Sequence, residues 1–167
     1  LALLRNLRNM AQVGVDPTLI GFAIRARKGG AEKVFPFRFV AAWRAARQFE
    51  LELHEAMVAG LEQLPRLPGA TVVLVDVSGS MISPLSSRSD LNRLDAAAAL
   101  ATIVRSDRLR VFTFSDRLIE VPARPGLLGI EPIQRSQPNH GTDMAGAITI
   151  LNRELPASER DRLMVIS

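Results

Sequence analysis

Six residues constrain the second half of this chain more than any others. Thr71-Val72-Val73-Leu74-Val75-Asp76 is a β-branched apolar run with no polar alternation. A strand with one face in water alternates polar and apolar residues, whereas a strand of a parallel sheet is covered on both faces and reads as a continuous hydrophobic run. Parallel neighbours need crossover connections, usually helices. The downstream sequence offers them. The alanine-rich stretch 91–105 predicts a helix with Ser89 and Asp90 available as N-cap. Residues 109–115 predict a second strand, and 118–122 a short edge strand paired across the Asp116-Arg117 turn. A helix over 143–153 and a buried strand over 163–167 complete β-α-β-β-α-β, the pattern of an open α/β sheet.

The first 62 residues follow a different period. Leu1, Leu4, Leu7, Met10 and Ala11 recur at three and four residues, one face of an α-helix. Asp16 is placed as an N-cap with Pro17 at the first helical position, and the helix over 18–28 stops at Gly29-Gly30. A third helix begins after Pro36 and runs to about residue 64, with Phe39, Trp43, Ala46, Phe49 and Leu53 on one side. Phe35, Phe37, Phe39 and Trp43 offer stacking faces for nucleic-acid bases, but at this spacing they read as core. Pro65-Arg66-Leu67-Pro68-Gly69 closes the helical part, since a helix does not easily cross two prolines and a glycine. The predicted organisation is a helical segment over 1–64, a linker over 65–70 and an α/β domain over 71–167.

Composition removes several function classes. With no cysteine among 167 residues, disulfides, thiolate metal sites and a cysteine nucleophile are excluded. The same absence suits a reducing compartment, so the expected location is cytoplasmic. No apolar run reaches the roughly 18–20 residues that span a bilayer, and arginines interrupt any signal-like core at the N-terminus. Both ends read as cuts through an element, which predicts a piece of a longer protein. There is no G-x-S-x-G elbow and no G-x-x-x-x-G-K-[ST] loop. Asp76-Val77-Ser78 is not the D-x-D of an aspartyl-phosphate phosphotransferase. His54 lies in the helical half, and His140, in a Pro-Asn-His-Gly turn, reads as a surface histidine. The expectation is a binding protein, not an enzyme.

Ligands of open α/β sheets bind outside the carboxyl ends of the strands. At that place the sequence has Asp76-Val77-Ser78-Gly79-Ser80, one carboxylate and two hydroxyls at spacings of two. Hard divalent cations, Mg²⁺ above all, take such oxygen ligands and keep several waters. Gly79 lets the loop fold tightly enough for the oxygens to converge. A second loop, His140-Gly141-Thr142-Asp143, precedes a helix and supplies the Thr142 hydroxyl, with Asp143 favoured at the helix start. The competing reading of the first loop is a plain turn with Asx and Ser hydrogen bonds.

The combination resembles the von Willebrand factor type A domain with its metal-ion-dependent adhesion site. That resemblance implies a Rossmann-like open parallel sheet with one antiparallel edge strand. It also implies Asp76, Ser78 and Ser80 as first-loop ligands, Thr142 as second-loop ligand and a further aspartate beyond Ser167 from a third loop. An ion so held accepts an acidic group from a protein partner. With the helical half included, the chain resembles the Ro ribonucleoprotein (TROVE-domain) family, bacterial type. The resemblance rests on Leu3-Leu4-Arg5-Asn6-Leu7-Arg8-Asn9-Met10, on Phe35-Pro36-Phe37-Arg38-Phe39 and on Val75-Asp76-Val77-Ser78-Gly79-Ser80-Met81. Phe112-Thr113-Phe114-Ser115-Asp116 and Gly141-Thr142-Asp143 extend it; His140 stands where the family often has glycine. It implies a ring of helical repeats that binds small non-coding RNA and the ends of misfolded RNA.

The charge is unevenly distributed along the chain. Residues 1–47 carry nine basic groups against Asp16 and Glu32, a net +7, while 48–66 carry net −3 and 67–167 have 11 of each sign. The basic excess thus lies on the helical half, as a phosphate-binding surface requires. Arg25, Arg27, Lys28 and Lys33 are its densest cluster and the candidate RNA contacts; a solvated helix end with cations on its C-terminal dipole is the alternative. For the whole chain, the alternative is a von Willebrand A-type protein-interaction module that binds no RNA.

Overall fold

Asp16 accepts a hydrogen bond from the Thr18 backbone N–H at 2.8 Å, and Pro17 occupies the first helical position behind it. The helix begun there belongs to the first of two units, Leu1–Leu64 and Pro65–Ser167, in a computed structural model that describes residues 2–26, 34–87 and 91–167. The first unit contains α1 (Ala2–Gln12), α2 (Pro17–Arg25), α3 (Pro36–Ala45) and α4 (Glu50–Leu61). Leu7, Ile20, Val40, Trp43, Leu53 and Met57 are its most deeply buried side chains. The expected continuation of α2 to Lys28 and its Gly29-Gly30 stop lie outside the described residues.

The single helix expected over 36–64 is two. Ala46 leaves helical geometry at φ −150°, ψ 71°, and a 3₁₀ turn over Arg47–Phe49 leads into α4. Local propensity there favours an unbroken helix; burial decides otherwise. The break lets α3 and α4 pack on each other, burying Trp43 and Phe39 on one side and Phe49, Leu53 and Met57 on the other. The Arg47 guanidinium closes over the Trp43 ring at 3.6 Å from its centroid. Phe35, read as core, is 76% exposed, because it precedes α3 as its N-cap residue and escapes the helix's buried face.

The second unit holds β1 (Leu67–Asp76), α5 (Arg93–Ile103), β2 (Ser106–Phe114), β3 (Leu118–Val121), α6 (Ile130–Gln134), α7 (Met144–Glu154) and β4 (Arg162–Ile166). The sheet order is β3-β2-β1-β4, with β1 parallel to both neighbours and β3 antiparallel to β2. It is therefore an open, mostly parallel sheet with one antiparallel edge strand. Val72, Leu74, Phe112 and Phe114 pack under Ala147 and Leu151 of α7 and the Leu155 that caps it. Val73 and Val75 point to the other face, where α5 packs on β1, and they are fully buried too.

Four details depart from the sequence reading. β1 starts at Leu67, inside the stretch read as a linker. Ser106 Oγ bonds the Leu67 and Gly69 carbonyls, Asp107 accepts from Gly69 N–H, and Gly69 takes φ +79° at a register irregularity that tolerates Pro68. The cap of α5 is Asn92, in a reciprocal capping box with Asp95, and not Ser89 or Asp90, which lie outside the described residues. Between the predicted edge strand and the helix over 143–153 lies a further short helix, α6, whose Ile130 and Ile133 are buried. β4, read as buried, lies at a sheet edge with Leu163 43% and Val165 40% exposed. Among the described residues, no helix is long and apolar enough to cross a membrane.

Candidate functional site

β1 delivers Asp76 to the carboxyl end of the sheet, where the carboxylate is 2% exposed. Its Oδ1 accepts from the Ser78 N–H at 2.8 Å, and its Oδ2 from the Ser167 hydroxyl at 2.7 Å. Ser167 reaches it because Val75 is in register with Ile166 on the neighbouring parallel strand. Ser78 Oγ and Ser80 Oγ lie 3.2 Å apart in the loop that follows. The Asx turn of the plainer reading is thus present, and it holds Ser78 beside Asp76. Both donors to Asp76 are neutral. Among the described residues, no lysine or arginine forms an ion pair with this buried carboxylate.

The second loop is drawn against the first. Gly79 N–H donates to the His140 carbonyl at 3.1 Å, and the Asn139 side-chain amide donates to the Val77 carbonyl. A Cβ at Gly79 would sit 3.2 Å from the Asn139 carbonyl, so this approach favours glycine. The end of β2 fixes the loop from the other side. The buried Ser115 hydroxyl donates to the Gly141 carbonyl at 2.9 Å and accepts from His140 N–H at 3.1 Å, while its backbone carbonyl accepts from Asp143 N–H. Asp116 Oδ1 accepts from Gly141 N–H at 2.9 Å, and its Oδ2 lies 3.3 Å from His140 Nδ1 on the surface.

Asp143 caps α7, its Oδ1 accepting from Gly146 N–H at 2.8 Å, so that carboxylate serves the helix. Thr142, one residue earlier, presents an exposed side chain on the latched loop. The structure joins Asp76, Ser78 and Ser80 by hydrogen bonds and sets Thr142 on the adjoining loop. It adds Ser115, Asp116, Asn139 and Ser167, which the sequence reading did not single out as site residues. Their signal is positional: polar residues just past the carboxyl ends of strands beside β1, or in the loop before α7.

Among the described residues, no group of three or more His, Asp or Glu gathers to hold a metal. A cation at Asp76 would therefore be met by one carboxylate, neutral hydroxyls and water. That all-oxygen donor set fits a hard ion such as Mg²⁺. A buried carboxylate met only by neutral donors also fits one, since unpaired buried charge is disfavoured.

Of the candidate RNA contacts, Arg25 is exposed yet paired, its guanidinium 3.0 Å from Glu52 and 3.7 Å from Glu55 on α4. Arg27, Lys28 and Lys33 lie outside the described residues. His54 on α4 is half-buried. Burial holds its imidazole pKa below the ordinary value against the opposing pull of Glu55 and Glu50, and its Nδ1 has no partner among the described residues.

No family model matches this sequence, and no curated protein sequence matches it. Among solved structures, the chain is similar to the RO (RSR) protein of Deinococcus radiodurans, at 19% identity and a TM-score of 0.65. The likeness covers 98% of this chain and 38% of that one, so this chain spans well under half of the other's length. At that identity the likeness concerns the fold: the helical unit and the α/β unit that follows it have the fold of a part of the RO protein.

Proposed function

We propose that this chain is part of an RNA-binding ribonucleoprotein component of the Ro (TROVE-domain) kind, with a Mg²⁺ adhesion-type site in its α/β unit. One observation carries the reading: the likeness to the RO protein runs through both units in the same order, not through the α/β unit alone. The net +7 on residues 1–47 supports it, because phosphate neutralisation supplies most of the affinity for nucleic acid. The ligands are small non-coding or misfolded RNAs, and the cysteine-free chain suits a cytoplasmic setting.

In this reading Asp76, Ser78, Ser80 and Thr142 hold the ion. Ser115, Asp116 and Asn139 position the loop that carries Thr142. When bound, the ion supplies an electrophilic position for a carboxylate from a protein partner. Every role so assigned is binding, with no covalent step and no enzymatic turnover.

The second reading is an adhesion-type protein-interaction module without RNA. Arg25 favours it, since two glutamates already answer its charge. Filter binding of a small structured RNA to the whole chain separates the two. RNA binding predicts an affinity that falls at least tenfold between about 50 and 200 mM salt, whereas absent or salt-insensitive retention removes RNA from the proposal. For the ion, calorimetric titration of Mg²⁺ into wild type and Asp76→Ala should show binding lost in the variant. Indistinguishable isotherms would sink the metal site.

A further inference from the structure

The two oxygens of Asp76 are met from different parts of the chain. Oδ1 accepts from the Ser78 N–H, two residues on, and Oδ2 from the Ser167 hydroxyl, 91 residues on. The first contact is local, the ordinary product of an Asx turn. The second exists through the parallel pairing of β1 with β4, in which Val75 stands opposite Ile166. One residue further along each strand, Asp76 and Ser167 point to the same face of the sheet.

A hydroxyl carries one rotatable proton and two lone pairs. The Ser167 oxygen can therefore donate to Asp76, or present a lone pair to a cation, from the same place. Neighbouring oxygens on an octahedral ion with bonds of roughly 2.0–2.1 Å lie about 3 Å apart. Ser167 Oγ is 2.7 Å from Asp76 Oδ2, and Ser78 Oγ is 3.2 Å from Ser80 Oγ, so the two pairs bracket that spacing. Plain hydrogen bonds have similar lengths, and the space around the hydroxyls decides between the two uses.

Ser80 and Ser167 are exposed, and both line one open cavity of about 370 Å³. The rest of its lining is apolar apart from Arg93, so these two hydroxyls are the side-chain oxygens it offers. A serine that only satisfied a buried carboxylate has no use for such an opening. A hard cation that keeps several waters does.

We propose that Ser167 is a further protein ligand of the hard divalent cation held at Asp76, Ser78 and Ser80. The inference rests on the Mg²⁺ reading of that site and adds to it a hydroxyl from the end of β4. An ion bound in this way joins the ends of β1 and β4, the two strands that bring Asp76 and Ser167 together.

The cysteine-free sequence makes the test direct, because Ser167→Cys introduces a single thiol. Oxygen ligands suit Mg²⁺, whereas thiolate suits soft ions such as Cd²⁺. Even outer-shell partners contribute a factor of about 10 to 100 in metal affinity, so Ser167→Ala should weaken Mg²⁺ binding to the whole chain at least tenfold in calorimetry. Ser167→Cys should lose Mg²⁺ to the same extent and bind Cd²⁺ instead, with a cadmium–thiolate charge-transfer band in the ultraviolet. Adding Asp76→Asn to Ser167→Cys should weaken Cd²⁺ binding at least tenfold, since thiol and carboxylate share the ion. Ser80→Ala, at an exposed position, makes the same test without altering a buried group. Unchanged Mg²⁺ affinity in Ser167→Ala overturns the proposal and leaves the Mg²⁺ reading standing. So does a Cd²⁺ affinity in Ser167→Cys that ignores both Asp76 and Ser80. Absence of Mg²⁺ binding by the wild type overturns both.

Discussion

The two units hold their candidate functional charges in opposite ways. Asp76 in the α/β unit is buried and, among the described residues, receives only a backbone N–H and a hydroxyl. Arg25 in the helical unit is half-exposed and faces Glu52 and Glu55. A buried carboxylate with no cationic partner among the described residues fits a bound cation, because an unpaired buried charge is disfavoured. A solvated charge with two counter-ions demands nothing, and exposed pairs of this kind contribute little to stability. The metal reading thus rests on a local electrostatic need. The RNA reading rests on a sum over many residues, and part of that sum is cancelled in space.

The first way to break this comparison is at the loop that serves Asp76. Asp116→Ala removes the acceptor for Gly141 N–H and the partner of His140. Thr142 sits one residue beyond Gly141, so the loop should lose its fixed place beside Gly79. Outer-shell partners of metal ligands typically contribute a factor of 10 to 100 in affinity, and we expect Mg²⁺ binding to weaken about tenfold by calorimetry. Stability should fall by only about 1 kcal/mol, the usual net worth of a hydrogen bond. Unchanged Mg²⁺ affinity would show that the loop is not held for the ion.

A smaller effect, of opposite sign, is expected in the helical unit. Glu52→Gln combined with Glu55→Gln removes the two carboxylates beside Arg25. If phosphates compete with these carboxylates for Arg25, RNA affinity should rise about two- to threefold, the scale of an exposed ion pair. The salt dependence should steepen by close to one unit of logarithmic slope, one more phosphate neutralised. An unchanged slope in filter binding would exclude Arg25 from the RNA surface.

Features decided within a few neighbouring residues could be read from sequence. The run 71–76 announced a strand buried on both faces, and Asp76, Ser78 and Ser80 are near enough along the chain that a tight turn alone joins them. Asp16 and Asp143 showed as caps because capping is a matter of two or three residues. What stayed hidden depends on distant pairing. Ser167 meets Asp76 across 91 positions, and only the β1–β4 register brings it there. The break at Ala46 has no proline or glycine to announce it; it exists because α3 and α4 bury more by folding together than by running on. The pairing of Arg25, an RNA-contact candidate by sequence, stayed hidden for the same reason: Glu52 lies 27 residues away in sequence and 3.0 Å away in space.

The smallest expected effect is a pH dependence confined to the helical unit. Burial lowers the His54 pKa in the folded chain, so the folded state resists a proton that the unfolded chain accepts near its ordinary value of about 6.5. Above that value His54 is neutral in both states and adds no pH dependence. As the pH falls below it, the unfolded chain binds more protons, and folding stability declines until the lowered folded pKa is passed. Glu55 and Glu50 pull that pKa back upward and keep the window narrow, which makes this the weakest of the three effects. Trp43 is the only tryptophan and lies in the core of the same unit, so its fluorescence reports this unit's unfolding directly. Its urea midpoint should drop between about pH 7.5 and pH 5 in the wild type. His54→Leu removes both the titrating group and the unpartnered Nδ1, and should flatten that drop without loss at neutral pH. The same slope in both proteins would place the pH sensitivity elsewhere and leave the buried imidazole without a thermodynamic role.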